Sequence, residues 1–420
     1  MAQEVTDFRP DVVGISLRNL GNCNYLCPES HLDFARQIVD TVRENGEAQI
    51  ILGGSAVSIA AEPLARRLGC RHAIVGEGER SFPALLEALE SGADPSDIPG
   101  LVTVDGVGAA HRTPPELVPE IEAPARSCPT WLEGRRYRRM NASWPLQTKR
   151  GCPFDCAYCV YPALEGHAWR LRPPQAVAEE VERAARSPLR LAEIVDGVFG
   201  LPQTHAIECC ESIAATESRL PLTTLELNPL GCTEELTEAM NAAGFVGAAI
   251  TAESGSEKML ANLRKGFGVE DLHHAREATR NLTAAKLWVF LFGGPGETAD
   301  TARETARFME TLPPGDLVMA THGIRVLPGT HLQRRLVSEG VLSPEDDLLE
   351  PTFFYSPETT PEEVEGILSE CGFPDHMRLG LTDETHWAVP IFQRVAPLMG
   401  LKPPYWRYGS WLNRLLKPLQ

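Results

Sequence analysis

Three cysteines crowd one short stretch, Lys149-Arg150-Gly151-Cys152-Pro153-Phe154-Asp155-Cys156-Ala157-Tyr158-Cys159, at a C-x3-C-x2-C spacing. Three thiolates from one loop can cap three corners of a cubane iron–sulfur cluster and leave the fourth iron open to another ligand. Structural zinc usually takes four protein ligands, and a fourth at zinc spacing is not apparent. Chance is the bland alternative, because the chain holds 11 cysteines in 420 residues. The others read as small buried hydrophobes of a reduced protein, Cys209 and Cys210 among them. Cys23 and Cys27 share a C-x3-C spacing, but two further ligands for a second metal are not evident.

An α/β framework must position that loop. Strands are expected at 11–17, 49–52 and 72–75, with helices at 31–45, 63–68 and 82–89. Strand and helix in alternation imply a parallel sheet whose ligands sit beyond the strand carboxyl ends, where Gly53-Gly54 and Gly76-Glu77-Gly78-Glu79 lie. The pattern breaks after about Ser91, and the basic run Arg135-Arg136-Tyr137-Arg138-Arg139 could bind an anion but reads first as a solvated or salt-bridged face. A second alternation has strands at 144–148, 191–195, 223–227, 246–252, 287–292 and 322–327. Helices are expected between them at 174–185, 204–217, 234–243, 269–282, 298–311 and 330–339. Six strand–helix pairs predict a (β/α)6 partial barrel, with the cysteine loop at the carboxyl end of its first strand, where active sites collect. The expected organisation is an α/β domain over 1–125, a linker over 126–143, the barrel over 144–340 and an irregular cap over 341–420.

Composition narrows the partners. Lys plus Arg number 39 against 57 Asp plus Glu, a formal net charge of −18. Such a field disfavours nucleic acid and anionic membrane surfaces and is compatible with a cationic small substrate. A membrane-spanning run and an export signal are not evident, so the expected location is the cytoplasm.

Across the cysteine loop and the segment C-terminal to it, about 200 residues resemble the radical S-adenosylmethionine superfamily. The resemblance implies a [4Fe–4S] cluster on Cys152, Cys156 and Cys159 whose open iron chelates S-adenosylmethionine, with Tyr158 near the adenine. It implies that Asp196, ending the second strand, faces the methionyl end of the cofactor. Glu253 and Ser254, ending the fourth, would meet the ribose hydroxyls and the carboxylate, and Arg264 and Lys265 could pair with that carboxylate. Gly293, Gly294 and Pro295 after the fifth strand and Leu327 after the sixth take the adenine side.

The first domain resembles the later half of the cobalamin-binding domain that precedes one radical S-adenosylmethionine subfamily. Its opening strand and the D-x-H-x-x-G segment carrying the lower axial histidine have no counterpart, so the expectation is a truncated domain kept for packing, with cobalamin unlikely as a cofactor. From that comes the expectation of a lyase-type function similar to the radical diol-dehydratases of aminoglycoside antibiotic biosynthesis, removing water from a small polar aminosugar. Glu226, Asp196 and His322 are the candidate general acids. An external electron donor is implied, and a separate reductase for the carbonyl product. A cobalamin-dependent radical methyltransferase is the alternative, and a non-catalytic metal-binding scaffold the third reading.

Overall fold

A computed structural model describes residues 1–105, 110–119, 121, 134–380 and 388–416. Most of the first half of the expected linker, residues 126–133, lies outside the described residues, as does Trp387. The chain divides into two compact units. One comprises Met1–Pro119, Gly151–Ala168 and Arg325–Phe353; the other comprises Glu120–Arg150, Trp169–Ile324 and Phe354–Gln420.

The first unit is built on strands β1 (Val12–Ser16), β2 (Gln49–Gly53), β3 (His72–Ile74), β4 (Leu101–Val104) and β5 (Ala110–Arg112), in that spatial order. Strands β1 to β3 run parallel, in a register that sets Ile15 beside Leu52 and Ile51 beside His72. Strands β4 and β5 extend the sheet antiparallel and were not anticipated. They are short and interrupt a Pro- and Gly-rich stretch, yet Leu101 and Val102 are wholly buried, and that burial outweighs their weak local pattern. Helix Leu32–Asn45 buries Leu32, Ala35, Val39 and Val42, one face at helical spacing. Helix Ser55–Leu68 contributes Val57, Leu64, Ala65 and Leu68 to the same core. Each such fully buried Leu or Val contributes roughly 1.5–3 kcal/mol.

The second unit holds a seven-stranded sheet. In chain order its strands are β6 (Trp144–Leu146), β7 (Ala192–Ile194), β8 (Leu222–Leu227), β9 (Phe245–Glu253), β10 (Ala285–Phe292), β11 (Leu317–His322) and β12 (Arg378–Gly380). They lie side by side in that same order, every pair parallel, as a partial barrel requires. Intervening helices start where a threonine can cap them: Thr233 and Thr298 each accept a backbone N–H of the first turn. Val177, Val181, Phe199, Trp288, Phe290, Phe308 and Met309 are among the buried core side chains.

The second unit also differs from expectation in its sixth strand and in its tail. The sixth barrel strand is Leu317–His322, not 322–327, and pairs in register from Leu287/Leu317 to Phe292/His322. The apolar run Leu317-Val318-Met319-Ala320 after the Pro313-Pro314-Gly315 turn forms the strand, which puts His322 at its carboxyl end. The tail expected to be irregular supplies β12 and the helix Pro361–Glu370, which buries Val364, Ile367 and Leu368. Among the described residues no helix is long and apolar enough to cross a membrane.

Candidate active site

The cysteine loop belongs to the first unit, and its geometry is set from both ends. Gly151 has φ +90, and a Cβ there would stand 2.1 Å from the Ala168 carbonyl oxygen, so only glycine fits. Its N–H donates to Glu165, and the Cys152 N–H donates to the Gly166 carbonyl at 3.0 Å. Farther on, the Cys159 N–H donates to the Cys156 carbonyl, and the Leu332 N–H to that of Ala157. His331 closes on the Asp155 carboxylate at 2.8 Å. Cys152 is buried, Cys156 and Cys159 are half-buried, and none is in a disulfide. The Tyr161 N–H points at the Cys159 sulfur at 3.4 Å. Among the described residues no three His, Cys, Asp or Glu side chains are gathered to hold a single metal ion. Thiolates on three different corners of a cubane need no such convergence, so this donor set fits an iron–sulfur cluster. Tyr158 and Leu327, both half-buried, also fall in the first unit.

The remaining candidates lie in the second unit at the carboxyl ends of its strands. Asp196, just past β7, is buried: it accepts the Thr148 N–H and hydroxyl, and Lys149 Nζ pairs with it at 2.8 Å. Both partners of that ion pair are almost fully desolvated, and Lys149 also lies over the Phe199 ring. Asp196 thereby anchors the two residues through which the chain runs into Gly151 and Cys152. Glu253 closes β9 in the left-handed region, at φ 63, and its Oε1 takes Lys265 Nζ at 3.1 Å. Arg264, at φ 57, precedes that lysine. Ser254 turns inward to the Thr305 hydroxyl at 2.9 Å. Glu226, near the end of β8, makes no hydrogen bond or ion pair through its carboxylate among the described residues. Burial, with Glu253 adding like charge and Lys265 opposing, pushes its pKa up to about 7.

After β10, Gly293 has φ +83 and sits so close to Tyr355 that a Cβ would meet the ring at 2.5 Å. Its N–H donates to Glu297, whose carboxyl is pushed up to about 7 by burial. Gly294 packs on Met259, and the Pro295 carbonyl accepts from Asn262. His322 is clamped: Nε2 meets Glu365 at 2.8 Å and Nδ1 faces the Tyr355 hydroxyl at 3.3 Å. Sequence reasoning missed Lys149, Thr148, Tyr355 and Glu365. Lys149 had a signal, its place beside the cysteine loop; Glu365 sits in the tail and had none.

In the first unit the carboxyl ends of β1 and β2 meet through a glycine turn. Gly54 has φ +93 and a Cβ there would lie 2.6 Å from the Leu17 carbonyl, so the β1 and β2 turns approach more closely than any side chain permits. At Gly53 and Gly78 a Cβ would meet nothing within 4 Å. In the same unit Arg325, 5% exposed, donates through Nη1 to the Asn22 carbonyl. Its Nε and Nη2 are buried without a hydrogen-bond partner. Open space at glycines and orphaned buried donors fit a bulky ligand that carries carbonyl groups. Cys23 lies beside Arg325 and is raised by burial, with the guanidinium opposing.

Comparison with known proteins bears on both halves. Residues 146–309 match the Radical SAM superfamily model, and residues 1–86 match the B12 binding domain model. Residues 146–309 thus carry a radical SAM domain and residues 1–86 a B12-binding domain. It is 25% identical over 392 residues to the tryptophan 2-C-methyltransferase of Streptomyces laurentii, covering 79% of this chain and 65% of that protein. An uncharacterized methyltransferase of Pyrococcus horikoshii is 24% identical, with 81% and 72% covered. Among solved structures, TsrM from Kitasatospora setae with tryptophan and a SAM analog bound gives a TM-score of 0.86 at 21% identity, covering 100% of this chain and 90% of that one. OxsB with aqua-cobalamin and S-adenosylmethionine bound gives 0.73 at 17% identity, covering 99% and 63%. These likenesses support the same fold, a cobalamin-type sheet joined to a radical SAM partial barrel.

The B12 match overturns the expectation of an enzyme without cobalamin. That expectation weighed the lack of a D-x-H-x-x-G segment above the glycine turns at the ends of β1 and β2.

Proposed function

We propose that this radical SAM enzyme is a cobalamin-dependent methyltransferase acting on a carbon atom of a small polar molecule. The observation that carries the reading is one chain with a B12-binding domain and a radical SAM domain in tandem. Relatives described as methyltransferases support it. In this reading Cys152, Cys156 and Cys159 hold a [4Fe–4S] cluster, and the Gly53-Gly54 and Gly76 turns with Arg325 hold cobalamin. Glu253, Ser254, Arg264, Lys265 and the Gly293-Gly294-Pro295 turn hold S-adenosylmethionine. Bound there, cluster and cobalamin would supply single electrons and a carrier for the methyl group.

The chain's own residues do the rest. The Lys149–Asp196 pair holds the entry to the cysteine loop. Glu253 and Lys265 present a carboxylate to hydroxyls and an ammonium to a carboxylate. Where the sulfonium methyl of S-adenosylmethionine ends on carbon in place of hydrogen, S-adenosylhomocysteine leaves and one proton is released, so that route needs a basic group. Glu226 suits that role, because a carboxyl near 7 is part ionised at neutral pH and is a better base than an ordinary one. His322 holds the Tyr355 hydroxyl in place. The deoxygenating expectation gives way: Asp196 is saturated by Thr148 and Lys149, and methyl transfer needs a proton acceptor rather than an acid. The separate reductase goes with it; an external electron donor remains part of the proposal.

Anaerobic reconstitution with iron, sulfide and hydroxocobalamin, followed by methyl-labelled S-adenosylmethionine and indole or amino-acid acceptors, tests the reading. Stoichiometric cobalamin retained through gel filtration and label in a carbon-bound methyl group are expected. Cluster-loaded protein that retains no cobalamin, or that transfers no methyl group while releasing 5′-deoxyadenosine, would overturn it.

A further inference from the structure

The second unit carries a cavity of about 510 Å³ at the amino ends of its first two strands. Asn141 and Ala142 lead into β6 and Leu191 leads into β7, and all three line it. The candidate residues of the active site lie at the opposite, carboxyl ends of the same strands. Five arginines converge there: Arg135, Arg138 and Arg139 from the helix Gly134–Arg139, Arg190, and Arg394 from the helix Ala388–Val395. None has a carboxylate partner or a side-chain hydrogen bond among the described residues. The Tyr405 phenol lies close enough to Arg190 for the guanidinium to oppose the effect of burial on its ionisation.

Five guanidiniums without carboxylate partners in one cavity are unusual in a chain whose acidic residues outnumber its basic ones 57 to 39. Surface arginines in such a chain would gain by pairing with the surplus carboxylates. Like charges at this spacing repel one another, so the arrangement costs free energy unless an anion screens it. Guanidinium offers a flat fork of donors that matches phosphate oxygens two at a time. The remaining wall is apolar, from Leu191, Pro397, Leu398, Pro403 and the Tyr405 ring, and suits an organic moiety rather than a bare ion. The volume falls within the range of small-molecule sites.

We propose that this cavity is a second ligand site, separate from the reaction centre, for a small organic phosphate ester carrying several negative charges. It joins the helix Gly134–Arg139, the turn before β7 and the segment Arg394–Tyr405, so occupancy would tie the C-terminal segment to the barrel floor. The inference does not depend on the methyltransferase reading.

Isothermal calorimetry on the full chain with magnesium-free adenosine triphosphate and with inorganic tripolyphosphate tests it. The expected result is saturable one-to-one binding of both, weakening about ten-fold or more between 50 and 200 mM salt, together with a rise in Tm. The triphosphate ester should bind at least as tightly as tripolyphosphate; the reverse order would overturn the organic assignment. Arg190→Glu/Arg394→Glu should abolish binding, and Arg190→Lys/Arg394→Lys should retain part of it, with iron content and circular dichroism unchanged in both. Absence of saturable heat, or binding that survives the charge reversal, would overturn the site.

Discussion

The two sheets solve the same problem, presenting ligands beyond parallel strand ends, with opposite materials. The seven-stranded sheet ends in desolvated charge: Lys149 with Asp196 and Lys265 with Glu253. The parallel strands of the five-stranded sheet end in glycine turns with open space at Gly53, and the buried charge of that unit, Arg325, keeps two donors without a hydrogen-bond partner. Charge in fixed pairs orients a small zwitterion; backbone and empty volume admit something large. A mutation should therefore fail differently in the two places, through broken electrostatics in one and through lost room in the other.

The largest expected effect lies outside either sheet. Replacing Cys152, Cys156 or Cys159 by Ala should remove cluster absorbance and all methyl transfer, while cobalamin uptake on the five-stranded sheet persists. If any single substitution left both iron content and turnover near wild type, the ligand assignment would be wrong.

Lys149→Met comes next. It leaves Asp196 buried without its cation, and breaking such a pair costs about 3–5 kcal/mol. Urea unfolding should show that loss, and Lys149→Met/Asp196→Asn should recover much of it, because the stranded charge is what destabilises. The exposed Glu62–Arg66 pair of the first unit gives the contrast. Breaking it with Arg66→Ala should cost no more than about 1 kcal/mol. Equal costs would erase the distinction between the two regions.

A third test concerns room. Gly53→Val places a side chain where a Cβ meets nothing, in a strand that favours valine, so stability should hold while cobalamin affinity falls. Gly54→Ala forces an L-residue to φ +93 against the Leu17 carbonyl, and both stability and cobalamin should suffer, the former by about 1–3 kcal/mol. Equilibrium dialysis with hydroxocobalamin beside thermal melts separates the outcomes. Unchanged uptake in Gly53→Val would remove that glycine from the site.

These contrasts also explain what could be read from the chain alone. The cysteine loop, the alternation of elements and the strand-end residues Asp196 and Glu253 announce themselves by type and spacing. Helices 174–185 and 234–243 match their predicted limits because apolar periodicity agrees with a proline in the first turn of the one and with Thr233 and Gly244 at the ends of the other. The sixth strand was misplaced because Ile324-Arg325-Val326-Leu327 is as β-prone as Leu317-Val318-Met319, and only pairing with β10 decides between them. Glu365 and Tyr355 reach His322 across 43 and 33 residues, a separation that carries no local pattern. The first sheet was undervalued for a related reason. A binding surface made of backbone and vacant space leaves only glycines in the sequence, whereas a missing histidine motif is conspicuous.

The smallest effect is a pH dependence at Glu226. Its folded pKa, about 7, stands above the ordinary carboxylate value, so the folded state holds the proton more tightly than the unfolded chain does. The associated stability is full at low pH and is lost as pH rises through about 7. Glu226→Gln cannot ionise, so it should match wild type below the ordinary carboxylate value and gain on it as pH rises to about 7. Activity should move the other way. If the ionised carboxylate accepts the proton, wild-type turnover rises through the same interval, while the Gln variant is slow and flat. A stability difference that appears without any change in the pH–rate profile would keep Glu226 as a half-buried acid near the end of β8 and remove it from the reaction. A profile shifted upward by Lys265→Met would bind it to the Glu253–Lys265 pair, because losing that cation raises the Glu226 carboxyl further.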